Sequence, residues 1–202
     1  SPRANFEELR RVGHSPSSIY RGHKADIYEG GHRVPFVLSW PKGIKGGRVS
    51  DEPICTTDLM ATLADLLQFR LPDNAAEDSY SLLPILLGKP HKSPLREAVV
   101  HHSIEGRFAI RQGSWKLILW PGSGGWSHPT TKDLGGKLSG YQLYNLTTDP
   151  SESQNLVTDE PKRVADLKAL LTRYVREGRS TPGRTETNER MEDWPELSWM
   201  QD

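Results

Sequence analysis

Residues 21–40 read RGHKADIYEGGHRVPFVLSW, a run of cations and glycines that passes straight into the apolar segment VPFVLSW at 34–40. That apolar segment is closed by Pro41-Lys42-Gly43. A short continuous apolar run bounded by turn formers suits a strand buried on both faces of a covered parallel sheet. In open α/β folds ligands sit in the loops at strand ends, and glycine lets main chain approach them closely. The approach to the segment, with Arg21, His23, Lys24, His32 and Arg33 among its glycines, therefore fits two roles: a solvated basic loop, or a site for an anion.

Working outward, Thr56 and Thr57 are expected N-caps of a helix that carries Leu59, Met60, Leu63, Leu66 and Leu67 at helical spacing. Strand and helix together make one α/β unit. A polar linker, LPDNAAEDSY, leads to a short helical run over 82–87 that Gly88 is expected to end. A domain boundary is placed there, giving residues 1–90 and 91–202. Past Pro94 the pattern changes to short strand candidates at 98–103, 107–112, 115–120 and 141–146. The tight connections at 104–106 and 113–114 make neighbouring strands antiparallel. The glycine-laden stretch 121–140 is expected to be an irregular surface excursion. Over 159–178, Val164, Leu167, Leu170, Leu171, Tyr174 and Val175 form one stripe with Pro161 in the first turn, which predicts an amphipathic helix covering the antiparallel sheet. The fold class is α/β.

Composition narrows the function classes. The 26 lysines and arginines balance 26 aspartates and glutamates, so no global field draws the chain to nucleic acid or a membrane, and anion recognition must be local. Cys55, the single cysteine, rules out an internal disulfide. No run of about 18 apolar residues is present, and the first residues, SPRANFEELRRVG, carry no apolar export segment. Asn145-Leu146-Thr147 is a sequon.

The order of residues 22–35 resembles the lysine-bearing signature of type I sulfatases, roughly G-x-K-x-x-x-x-E-G-G-x-R-V-P, at every position. Further segments resemble the family in the right order. They are Thr57-Asp58-Leu59 with Thr62-Leu63, Ser81-Leu82-Leu83-Pro84 with Gly88, Trp115-Lys116-Leu117, and Leu143-Tyr144-Asn145-Leu146 with Asp149-Pro150, Glu152, Asn155 and Leu156. The resemblance implies an alkaline-phosphatase-like sandwich, of which residues 1–90 are the C-terminal part, followed by a small antiparallel sheet with a packed helix. It also implies a sulfuric ester hydrolase that uses a formylglycine made from C/S-x-P-x-R beside a calcium ion. Neither motif is here. Cys55 lies in Cys55-Thr56-Thr57-Asp58-Leu59, without the proline and arginine, no Asp-Asp pair begins a calcium site, and Asp73-Asn74 follows the lysine signature instead of preceding it. No metal ligand is assigned in this chain. Calcium and the amino-terminal half of the enzyme are expected as partners, and the chain alone is expected to be inactive.

Carried over residue by residue, Lys24 is the catalytic group, binding sulfate oxygens and offsetting charge on the leaving oxygen. His23 and His14 are candidate substrate contacts, and Glu29 with Arg33 is read as a charge pair that fixes the loop. His101 and His102 alternate across a strand and cannot chelate one metal together. Trp120 and Trp126 offer either a stacking surface for a sugar or core packing. The expected substrate is a sulfate ester, a sulfated carbohydrate among the candidates, in a periplasmic, secreted or lysosomal setting. Two alternatives are an inactive fragment or accessory module, and a phosphate or phosphonate ester hydrolase of the same superfamily.

Overall fold

The structure, a computed structural model, describes residues 6–188 and 194–201. In chain order the elements are α1 (Phe6–Arg11), α2 (Glu29–His32), α3 (Asp58–Leu66), α4 (Leu83–Leu87), β1 (Val99–His102), β2 (Phe108–Gln112), β3 (Trp115–Ile118), β4 (Gln142–Asn145) and α5 (Pro161–Glu177), then a 3-10 turn over Pro195–Met200. The described residues form two compact units, one of residues 6–35, 100–171 and 194–201, the other of residues 36–99 and 172–188.

The first unit is built on one sheet of order β1-β2-β3-β4, in which β2–β3 and β3–β4 pair antiparallel. Gly113, at φ 58°, makes the tight turn between β2 and β3. Register fixes what each face carries, because side chains alternate along a strand. Ile110 pairs with Leu117, and Leu117 with Leu143. All three are fully buried, and on the same face the Arg163 guanidinium of α5 lies 4.9 Å over the Trp115 ring. The opposite face holds Ala109, Arg111, Lys116, Ile118, Gln142 and Tyr144. It is covered by Ile27 and Tyr28, which join Ala109, Ile118, Trp120, Tyr144 and Leu146 in one buried cluster. The segment that precedes residue 34 is thus packed onto the antiparallel sheet. At the start of β2 Trp199 meets Phe108 edge-on at 5.9 Å.

In the second unit α3 turns its polar side inward. Asp58 is fully buried, accepts the amides of Cys55 (2.7 Å) and Tyr80 (3.0 Å), and pairs with buried Arg96. The Thr62 hydroxyl donates to the Asp58 carbonyl and accepts from the Leu82 amide. Gly88, left-handed at φ 66°, ends α4.

Two expectations are corrected here. Residues 34–40 form no strand, and Phe36, Val37, Leu38 and Trp40 are exposed. A strand exists only through a neighbour's main-chain groups, and no described strand lies beside this segment. Thr57 does not cap α3 with its side chain; its backbone is already helical, and Asp58 takes up the free Cys55 amide instead. The apolar stripe of α3 is likewise exposed, with Leu63 at 54% and Leu67 at 74%.

Candidate active site

The segment 21–33 closes on itself before it reaches the sheet. The Gly30 amide donates to the Arg21 carbonyl at 2.8 Å, bringing the two ends of the loop together. The crossing is so close that a Cβ on Gly30 would lie 2.5 Å from the Arg21 carbonyl oxygen, and one on Gly31 would lie 2.2 Å from that of Asp26. Only glycine permits that approach.

At the tip of the loop stands Lys24, exposed, its ammonium in no hydrogen bond or ion pair among the described residues. The next residue, Ala25, sits at φ 87°, a conformation that costs an alanine about 1–3 kcal/mol and survives only where neighbours over-determine it. The neighbours are visible. The Ala25 carbonyl accepts from the Ile104 amide at 2.9 Å. Buried Asp26 gathers four donors on one carboxylate: the amides of His23 (2.8 Å), Trp126 (2.7 Å) and Ser127 (2.9 Å), and the Ser127 hydroxyl. This clips the glycine-rich excursion to the lysine loop, and Gly125 has no room for a Cβ, which would meet the Ala25 carbonyl oxygen at 2.6 Å.

Below the loop lies an ionic core. Lys116 Nζ is 3.1 Å from Glu29 Oε1 and 2.9 Å from Glu152 Oε1, and all three side chains are at most 2% exposed. Arg33 and Arg111 reach the other Glu29 oxygen at 3.0 and 3.5 Å. Burial acts to raise the Glu29 carboxyl, but the Lys116 ammonium and the two guanidiniums override it, and the net shift is downward. In Glu152 burial wins over the pull of Lys116, and the carboxyl is pushed up. Beside the core, Arg21 lies over the Tyr28 ring at 3.9 Å and donates to the Tyr144 hydroxyl, while Gln142 accepts from both tyrosine hydroxyls.

The structure brings Lys24, His23, Glu29 and Arg33 together in one loop. His23 is half-buried, its Nδ1 3.1 Å from the Lys24 carbonyl oxygen and 3.6 Å from Asp26 Oδ2, its ring centroid 6.4 Å from that of Trp126. His14 is exposed in the loop after α1, and its amide donates to the Leu9 carbonyl at 2.9 Å, back toward α1. Of the two tryptophans, Trp120 is buried under the Arg107 guanidinium and belongs to the core, while Trp126 is half-exposed beside His23. Asp26, Lys116 and Glu152 were not singled out from sequence as site residues. The signal for two of them was present in the Trp115-Lys116-Leu117 and Asp149-Pro150 segments, but nothing in spacing says that these reach a loop 87 and 123 positions away.

The His32 and His101 ring centroids lie 4.6 Å apart with the rings tilted at 48°, and His32 Nε2 and His101 Nδ1 are buried without a hydrogen-bond partner among the described residues. Burial, reinforced by the Lys116 charge, lowers His32 to about 4 and takes His101 well below its ordinary value. Unfolded histidine titrates near 6.5, so as pH falls below that the unfolded chain gains protons that the folded one refuses. Stability is then independent of His32 above pH ~6.5 and falls by up to about 1.4 kcal/mol per pH unit down to pH ~4. Urea unfolding across that range shows this slope, and His32→Phe flattens it by one proton.

Residues 22–180 match the family described as N-sulphoglucosamine sulphohydrolase, C-terminal. An N-acetylgalactosamine-6-O-sulfatase of Bacteroides thetaiotaomicron is 39% identical over 82% of this chain and 31% of its own length. Human steryl-sulfatase is 41% identical over 83% of this chain and 32% of its own. A solved structure from work on the metabolism of multiple glycosaminoglycans by Bacteroides thetaiotaomicron superposes with a TM-score of 0.67 at 36% identity, over 82% of this chain and 34% of that one. The chain spans about a third of the length of these relatives.

Proposed function

Because the chain belongs to the sulfatase family through its match to the N-sulphoglucosamine sulphohydrolase C-terminal region, we propose that it supplies the sulfate-binding lysine of a sulfuric ester hydrolase. The observation that carries the proposal is Lys24: an exposed ammonium in no hydrogen bond or ion pair among the described residues, at the tip of a loop whose buried carboxylates, Asp26 and Glu29, are turned inward and satisfied. Such a cation offers preorganised charge without first breaking a contact. Its ammonium binds a non-bridging sulfate oxygen and stabilises the negative charge that grows on the leaving oxygen as the S–O bond breaks. His23 lines the same tip as a substrate contact, and the half-exposed Trp126 ring beside it suits the apolar face of a sugar. A sulfated carbohydrate is the proposed substrate class, in keeping with the N-acetylgalactosamine sulfatase among the relatives.

Among the described residues no group of three or more His, Cys, Asp or Glu could hold a metal ion. The described residues therefore do not fit a calcium site; calcium and the formylglycine are proposed for the complete enzyme. Its amino-terminal half is proposed to pack on Phe36, Val37, Leu38, Trp40 and the exposed stripe of α3. Burying one such large side chain is worth roughly 1.5–3 kcal/mol. The test compares the complete enzyme with this chain alone on a chromogenic aryl sulfate and the matching aryl phosphate and phosphonate esters. Sulfate turnover by the complete enzyme, with none by the chain alone, is the expected result. Preference for the phosphorus ester, or turnover by the chain alone, would refute it.

A further inference from the structure

Both ends of the lysine loop land on one residue. The main-chain carbonyl of Glu152 accepts from Arg21 Nη1 at 3.0 Å, and its carboxylate Oε2 accepts from the Glu29 amide at 2.6 Å. Arg21 opens the loop and Glu29 closes it, and the Gly30–Arg21 hydrogen bond holds the two side by side. Glu152 is fully buried and sits at φ 52°, a left-handed conformation that a glutamate adopts only at a cost. The unfavourable backbone is what points the carbonyl at Arg21 and the carboxylate at Glu29 from a single residue. Lys116 Nζ, 2.9 Å from Oε1 and 3.1 Å from Glu29 Oε1, supplies the positive charge that lets two buried carboxylates stand close together.

We propose that Glu152, held by Lys116, is a positioning residue for Lys24, so that a turn of the small C-terminal sheet sets where the sulfate-binding ammonium stands. Glu152 touches no substrate and acts through the loop alone. The inference rests on the catalytic reading of Lys24.

The experiment is a double-mutant cycle in the complete enzyme, reading kcat and KM on one sulfate ester. Glu152→Ala lowers kcat about tenfold to a hundredfold with Lys24 present, since misplacing a catalytic group by about 1 Å costs on that order, and KM changes less. On a Lys24→Ala background the same substitution costs less than about twofold, because the group it positions is gone. Glu152→Gln keeps an oxygen acceptor for the Glu29 amide and restores most of kcat. If Glu152→Ala fails to fold, the same cycle run with Glu152→Asp, whose shorter arm cannot reach the Glu29 amide, reads the same coupling. An equal loss of kcat on both backgrounds, or wild-type kcat in Glu152→Ala and Glu152→Asp, overturns the positioning role while leaving the catalytic reading of Lys24 standing. An undiminished Lys24→Ala enzyme overturns that reading and this inference with it.

Discussion

Lys24→Ala in the complete enzyme lowers kcat/KM for a sulfate ester by about a hundredfold to a thousandfold, roughly 2.7–4 kcal/mol, the scale of one preorganised electrostatic group in an active site. Stability hardly changes, because the exposed ammonium makes no hydrogen bond or ion pair among the described residues. Lys24→Arg recovers little. A guanidinium carries the same charge as a broad planar fork, and the loop tip, with Ala25 at φ 87° and Asp26 clipping it to Trp126, has no slack to move aside. Steady-state kinetics on an activated and an unactivated ester, with a thermal melt of each variant, is the measurement. Near wild-type kcat/KM on both esters would return the loop to a solvated basic turn.

The second large effect falls on stability. Lys116→Met leaves Glu29 and Glu152 facing each other with no ammonium between them, in a place at most 2% exposed. Removing one partner of a buried ion set costs about 3–5 kcal/mol, because the remaining charge can neither find water nor a substitute. Here Arg33 and Arg111 still reach Glu29, so the orphaned group is Glu152. Lys116→Met combined with Glu152→Gln should therefore recover much of the loss, since it removes the uncompensated charge as well. Denaturant unfolding of the wild type, the single and the double variant measures both numbers. Equal instability of the single and double variants would show that charge is not what Lys116 contributes.

The antiparallel sheet and α5 were legible in the sequence, because their physics is local. The four strands fell within the alternating segments, and the stripe from Val164 to Val175 lies on α5, since period 2 and period 3.6 are written in adjacent residues. Residues 34–40 were misread for the converse reason. Their apolarity is real, but strand formation depends on neighbours, and an apolar run without them stays irregular and exposed. The candidate site divided the same way. Lys24, His23, Glu29 and Arg33 stood in one contiguous motif. Asp26 hid in it as an unremarked letter, although its carboxylate takes four hydrogen bonds. Lys116 and Glu152 were invisible as site residues, since a polar residue on a strand or in a turn reads as solvated until the topology shows what lies over that face. His14 shared the loop's chemistry but not its tethering.

The 123 positions between Glu29 and Glu152 also have a meaning in time. At a synthesis rate of about 5–20 residues per second, Glu152 leaves the ribosome roughly 6–25 s after the loop it fastens. Until then the lysine hangs on a tether whose closure entropy is unpaid, and the nascent enzyme holds its chemistry in a form that cannot be aimed. A premature stop between Trp126 and residue 152 would spare Lys24, His23 and Trp126 and still release a protein with that cation adrift. A turn 123 positions from the lysine signature is thus as exposed to loss-of-function lesions as the signature itself.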